Sequence, residues 1–325
     1  MSTQSLSSPF SVQPDHLARV HRSLLQWYAT EQRQLPWRVT SDPYAILVSE
    51  IMLQQTQVER VLPKYEQFLA AFPTLSALAA ASTAEVISAW VPLGYNMRAV
   101  RLQSIARQVI SEYGGRIPDN VEELLKLKGV GRYTAGAIAC FAYHQHVATV
   151  DTNIRRVLHR IFLGIESPET QPNDTEMLKL AEQVLPNGAA YSWNQALMDL
   201  GATVCTSNNP QCTRCPLQQT CQAYTDMQAH SLFPSGVVLR HLRKVAEKKP
   251  PYQAQPFTSS NRYFRGRIVD RLRSVPTSQR LCLSELGPEI KADFHDDDIA
   301  WLRTIVAGLA KDGLVDYTEE GVRLP

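Results

Sequence analysis

No part of the 325-residue chain is apolar for long enough to cross a bilayer. The longest charge-free apolar stretch runs through Ala135–Tyr143, well short of the roughly 18 residues a membrane helix needs. Met1–Val12 is polar and uncharged, without the basic start and apolar core of a secretory signal. Strand-like alternation is missing from Pro14 to about Tyr224, and no internal repeat marks a solenoid. Cysteine is sparse, six residues in all, and without a secretory signal those six do not read as a disulfide framework. The chain also lacks the composition of a disordered protein: 44% hydrophobic and 20% charged residues leave material for a real core. At roughly 100–200 residues per domain the length predicts two or three domains. These exclusions leave a soluble, intracellular, mainly helical protein, expected to be cytoplasmic and monomeric.

What is present is unevenly distributed. The net charge is only +2, yet residues 240–280 carry 11 basic and 2 acidic side chains, and residues 281–325 carry 4 and 10. A basic stripe followed by an acidic end is the asymmetry expected of a protein that meets a polyanion such as nucleic acid. Four of the six cysteines are clustered as C-x6-C-x2-C-x5-C: Cys205, Cys212, Cys215 and Cys221. Clustered thiols in such a chain point to a metal. Zinc favours two CxxC knuckles where this segment has one, whereas wider, unequal loops suit a [4Fe–4S] cluster. Cys140 and Cys282 stand in apolar surroundings and read as core residues.

From Pro14 to about Tyr224 apolar residues recur at spacings of three and four, and turn signals separate the helices. Thr74 is placed to cap Leu75–Ala80, Ser82 with Glu85 forms a capping box for Val86–Val91, and Asp119 with Glu122 opens Val121–Leu127. Residues 232–260 read as a basic, proline-containing linker. Helices are expected at Arg262–Arg273, Ser284–Ile290 and Asp298–Lys311, with a hairpin over residues 314–324, which together make a winged-helix-like module at 261–325.

Gly129-Val130-Gly131 separates two helical segments in a turn expected to exclude side chains, and the helix that follows opens with free N–H groups suited to a phosphate. About twenty residues on, Val150-Asp151-Thr152-Asn153 sets a carboxylate between an apolar run and a basic helix, where an aspartate also serves as N-cap.

With the C-x6-C-x2-C-x5-C loop, these strings resemble the helix-hairpin-helix DNA glycosylase superfamily. Leu35-Pro36-Trp37-Arg38, Ser49-Glu50-Ile51-Met52-Leu53-Gln54-Gln55-Thr56-Gln57-Val58 and Leu93-Gly94-Tyr95 look like the MutY family of adenine glycosylases. The resemblance spans roughly residues 15–224. It implies a mainly α helix-hairpin-helix glycosylase fold within a catalytic region 14–231. A six-helix barrel is expected over residues 45–148. Residues 14–44 and 149–224 would form the module that binds a [4Fe–4S] cluster, with catalysis in the groove between the two. Double-stranded DNA holding a mismatched or damaged base is the implied partner.

The resemblance also implies roles. Glu50, between apolar neighbours, would keep a proton for adenine N7, and Asp151 would stay ionised to stabilise an oxocarbenium-like sugar. Asn153 would orient Asp151. Tyr133 stands where lyase-competent relatives carry a Schiff-base lysine, which makes the enzyme monofunctional. Trp37, Arg38 and Gln195 would line the base pocket. Gln54, Gln55 and Tyr95 would contact the duplex while the target base is flipped, and Gly129, Val130 and Gly131 would meet the backbone. Cys205, Cys212, Cys215 and Cys221 would hold the cluster.

Three features depart from the family pattern: Asp151-Thr152-Asn153 in place of Asp-Gly-Asn, Asn96 where a second tyrosine often follows, and no visible Nudix-like C-terminal domain. The main expectation is a base excision repair glycosylase removing adenine opposite guanine or 8-oxoguanine. The alternatives are a glycosylase for thymine or uracil opposite guanine and a non-catalytic DNA-binding adaptor. The acidic run Asp296-Asp297-Asp298 predicts that the C-terminal module packs on the catalytic region or binds a protein partner and does not read the opposing base. The basic lead-in is then the likelier DNA contact.

Overall fold

The computed structural model describes residues 10–166, 171–231 and 257–325. Nearly all of the regular structure in them is helical. The one sheet among the described residues pairs Asp316–Thr318 with Gly321–Arg323, antiparallel, at the C-terminal end. The chain divides into two compact units. One comprises Met1–Pro43, Asp119–Val121 and Gly131–Pro250, the other Tyr44–Pro118, Glu122–Val130 and Pro251–Pro325.

Local signals set most helix ends. Thr74 accepts a hydrogen bond from the Ala77 N–H at the start of Leu75–Ala80, and Ser82 with Glu85 closes a capping box on Thr83–Ala89. Asn173 with Glu176 closes another on Asp174–Gln183. The helix expected over Val121–Leu127 ends at Leu124, where the N–H groups of Lys126 and Leu127 bond only three residues back. The chain tightens there because it must enter the turn at Gly129, whose φ of +103° needs glycine. A Cβ at Gly129 would also run into the Arg101 side chain. Gly131 differs from the expectation: its φ of −90° is open to any residue, and a Cβ there would meet nothing within 4 Å. Only one of the two glycines is demanded by the turn.

In the first unit, helices Pro14–Glu31, Thr152–Phe162 and Ala190–Thr203 pack around Leu24, Val157, Leu158, Trp193 and Leu197. Gly201 permits the last two to approach closely, since a Cβ there would lie 2.8 Å from that of Asn153.

In the second unit, Phe68 meets Phe72 and Trp90 edge to face. Residues beyond 257 join this unit through a shared core. Helices Asn261–Leu272, Leu283–Ile290 and Ile299–Lys311 and the hairpin bury Ile268, Leu272, Leu302 and Val306 with Ala84 and Ile87. Burying each of the larger aliphatic side chains is worth about 1.5–3 kcal/mol. The Pro325 carbonyl accepts from the Ala84 N–H at 2.8 Å, which fixes the chain's last residue to this core.

Most of the expected linker, residues 232–256, lies outside the described residues. Cys282 is no core residue: it is half-buried, opens the helix Leu283–Ile290 and lies 3.1 Å from the Ser284 hydroxyl. Cys140 is buried and accepts from the Asn194 amide at 3.3 Å.

Candidate active site

The helix Pro43–Leu53 is apolar on every side, and Tyr44 through Met52 are all buried. Glu50 is buried with them, at 5% exposure. A carboxyl group so placed is denied most of its hydration.

The C-terminal end of this helix is held by Arg98, which is itself 5% exposed. Its guanidinium donates to the carbonyls of Ile51 (3.3 Å), Met52 (2.8 Å) and Gln54, and to the Thr56 hydroxyl (2.9 Å). It also donates to the carbonyls of Leu93 (3.3 Å) and Gly94 (3.2 Å). One cation therefore satisfies carbonyls that a helix end leaves bare and joins the 53–56 turn to the 93–95 turn. Burial pushes its pKa down to about 10, so it stays charged at neutral pH. Beside these turns, Gln55 (φ +56°) and Tyr95 (φ +48°) both adopt left-handed conformations, which cost side-chain-bearing residues energy and aim their side chains outward.

In the other unit, Asp151 caps the helix Thr152–Phe162. Its carboxylate accepts from the Ile154 N–H at 2.7 Å and from the Asn153 side chain at 3.2 Å. Arg156 in turn donates to the Asn153 amide oxygen (2.9 Å) and to the carbonyls of Gly201 (2.8 Å) and Cys205 (2.9 Å). Burial outweighs the hydrogen bonds from Ile154 and Asn153 and the charge of Arg156, and it raises the Asp151 pKa above the ordinary aspartate value. Asp151 is thus a more basic carboxylate than an exposed one.

The residues expected around a base are organised by an acid that sequence reasoning missed. Asp199, fully buried on Ala190–Thr203, receives Arg38 through both terminal nitrogens (2.7 and 2.8 Å) and Arg33 at 2.6 Å. Burial opposes the charge on Asp199, but the hydrogen bonds and charge of Arg38, and then Arg33, outweigh it and hold its pKa low. The fork of Arg38 is committed to Asp199, and Trp37, next to it in the chain, is buried. The Tyr191 hydroxyl donates to the Arg38 carbonyl at 3.2 Å. Gln195 is buried one turn before Asp199 on the same helix, and the Tyr133 hydroxyl lies 3.7 Å from the Met198 sulfur. A carboxylate inside Ala196-Leu197-Met198-Asp199-Leu200 was the available signal, because a buried acid needs a cation.

The four clustered cysteines are free thiols brought together by two single-turn helices, Cys212–Arg214 and Gln218–Thr220. Burial first, and then the charges of Cys205, Cys221 and Cys212, push the Cys215 thiol up to about 12. Burial likewise takes Cys221 to about 11, and Cys205 and Cys212 again contribute. Arg160 donates to Cys205 Sγ at 3.5 Å, and the Cys221 thiol donates to the Arg160 carbonyl at 3.3 Å. Among the described residues no three His, Cys, Asp or Glu side chains converge on a single metal ion. The donor set fits an iron–sulfur cluster: four uncrosslinked thiols within electrostatic reach of each other, with a cation at their edge.

Residues 48–186 match the family described as HhH-GPD superfamily base excision DNA repair protein. The chain is 39% identical over 305 residues to an adenine DNA glycosylase of Mycolicibacterium smegmatis, covering 92% of this chain and 93% of that protein. It is 43% identical over 223 residues to a human adenine DNA glycosylase, covering 66% of this chain and 41% of that one. Among solved structures, a thermostable thymine-DNA glycosylase is similar with a TM-score of 0.61 and 34% identity, covering 65% of this chain and 98% of that chain.

The raised pKa of Asp151 has a consequence for stability. Its ionised form is the disfavoured one in the folded protein, so stability is lost as pH rises through its folded-state pKa. Asparagine is neutral and still caps a helix. Asp151→Asn should therefore melt above wild type at pH 8, with the difference vanishing toward pH 3 in thermal unfolding scans. A lower melting temperature at pH 8 would show that Asp151 is not held against the cost of burial.

Proposed function

The chain belongs to the adenine DNA glycosylases of the HhH-GPD superfamily, and we propose that it is a monofunctional base excision repair enzyme. Its substrate on this reading is DNA in which adenine is mispaired with guanine or 8-oxoguanine, and it hydrolyses the N-glycosidic bond of that adenine. The observation that carries the reading is the match to an adenine DNA glycosylase along 92% of the chain. Buried Glu50 and half-buried Asp151 carry the carboxyl groups such an enzyme needs.

Glu50 gives a proton to the adenine ring as the C1′–N9 bond breaks and its electron pair passes to the base. Asp151, ionised and oriented by Asn153 and Arg156, stabilises the positive charge that develops on the sugar. Water then adds to C1′ and loses its proton to a carboxylate, leaving free adenine and an abasic site. A phenol forms no imine, so Tyr133 supports hydrolysis without strand cleavage. Trp37 and Gln195 border the base, and Arg38 acts through Asp199. Gln54, Gln55 and Tyr95 meet the opened duplex, and the Gly129–Gly131 turn meets a phosphate.

Cys205, Cys212, Cys215 and Cys221 are the residues that would hold a [4Fe–4S] cluster. When bound, the cluster would supply structural cross-linking of that loop through the four thiolates. The likeness to a thymine-DNA glycosylase favours thymine opposite guanine as the second reading.

A single-turnover panel of duplexes carrying A, T, U or hypoxanthine opposite G, 8-oxoguanine or C tests the proposal. Adenine release opposite G and 8-oxoguanine, with breakage only under alkali, is expected. Preferential thymine release, or an adduct trapped by borohydride in high yield, would contradict it. Anaerobically purified protein should be brown with broad visible absorbance. A colourless, zinc-containing protein would overturn the cluster assignment.

A further inference from the structure

In the first unit, the segment Val147–Thr149 is neither helix nor paired strand among the described residues, and it delivers the chain to Asp151. Ala148 and Thr149 are buried, so the backbone groups around them need partners other than water. The segment lies close against the helix Arg132–Phe141. A Cβ at Gly136 would stand 3.3 Å from the Thr149 methyl and 3.5 Å from the Ala148 carbonyl oxygen. It meets the helix Ala190–Thr203 through Asn194, a side chain that is 1% exposed.

The Asn194 amide is fully used. Its oxygen accepts from the Thr149 N–H and from the Thr149 hydroxyl, both at 3.1 Å. Its nitrogen donates to the Val147 carbonyl at 2.9 Å and to Cys140 Sγ at 3.3 Å. The Val147 carbonyl and the Thr149 N–H flank Ala148, and they are the two groups that a neighbouring parallel strand would bond. A carboxamide offers the same acceptor and donor as a peptide group, so one side chain takes the place of that strand. Aspartate would lack the donor, and alanine would leave both backbone groups without this partner in buried surroundings.

We propose that Asn194 is a positioning residue for cleavage of the glycosidic bond, and that it acts by fixing where Asp151 stands. The inference rests on the adenine glycosylase reading. Asp151 follows Thr149 by two residues, roughly 7 Å along an extended chain, and its own backbone is extended (φ −102°, ψ −174°). A shift at Thr149 therefore reaches it with little slack. The bonds from the Ile154 N–H and the Asn153 side chain orient the carboxylate on its own helix, and Arg156 ties that helix to Gly201 and Cys205. Those contacts hold the chain that leaves Asp151, whereas Asn194 holds the chain that arrives. Gln195 is the next residue along, so the contact that places Asp151 and the expected border of the base pocket share one helix. A charge meant to meet a developing sugar cation is sensitive to such placement: a displacement of about 1 Å can cost about 100-fold in rate.

The test uses the full chain and an A·8-oxoguanine duplex under saturating enzyme. Single-turnover adenine release reads the chemical step, and affinity for a duplex with a tetrahydrofuran abasic site opposite 8-oxoguanine reads binding. Asn194→Ala, Asp151→Asn and the double variant form a cycle. Asn194→Ala should slow release by about 10- to 100-fold with affinity retained. In the Asp151→Asn background the same change should cost little more, because a residue acting through Asp151 has nothing left to place. Equal losses in both backgrounds, or affinity falling in step with rate, would make Asn194 a general support of the fold and overturn the proposal. An unaltered rate in Asn194→Ala would also overturn it. Should the melting curve show that Asn194→Ala does not fold, Thr149→Val takes its place in the cycle, since it keeps the side chain's shape and removes only the hydroxyl bond. It should slow release by about two- to tenfold, the scale of one hydrogen bond, and only where Asp151 is present. An unaltered rate there would overturn the proposal. A wild type that releases thymine opposite guanine and no adenine would overturn the adenine reading instead, and the cycle is then run on that duplex with the same expected outcome.

Discussion

A carboxyl group kept out of water on an otherwise apolar helix is the constraint on which the second unit depends. Glu50 stays shielded from water only while Tyr44 through Met52 stay buried around it, and that requires the helix to end in a fixed place. Arg98 provides the end. A buried guanidinium costs several kcal/mol of lost hydration unless its N–H groups are met, and here carbonyls from two turns and a hydroxyl meet them. The same contacts join the two turns in which Gln55 and Tyr95 take left-handed conformations.

The first unit meets the same difficulty with the signs reversed. Asp199 is a buried acid neutralised by two arginines from the segment preceding Pro43. Asp151 is the exception: its burial is only partly offset, so it retains basicity that an ion-paired carboxylate would lose.

Much of this was legible in the sequence because the signals are local. Capping residues fixed helix starts at Thr74 and Ser82, and an acid within an apolar helix singled out Glu50. Gly129 was legible as a turn residue, whereas Gly131 was over-read because a glycine letter does not reveal its φ. Arg98 was not legible, since four of its six partners lie more than forty residues away on the chain. The C-terminal segment was hard to place for a related reason. Its charges are sequential, but how it packs is decided by the core shared with Ala84 and Ile87.

The role of Glu50 is most directly tested by single-turnover adenine release from an A·8-oxoguanine duplex under saturating enzyme, comparing wild type with Glu50→Gln across pH. Glutamine matches glutamate in shape but carries no transferable proton, so the rate should fall by about 100-fold or more with DNA affinity retained. Wild-type turnover in Glu50→Gln, with the same dependence on pH, would contradict a general-acid role for the buried carboxyl.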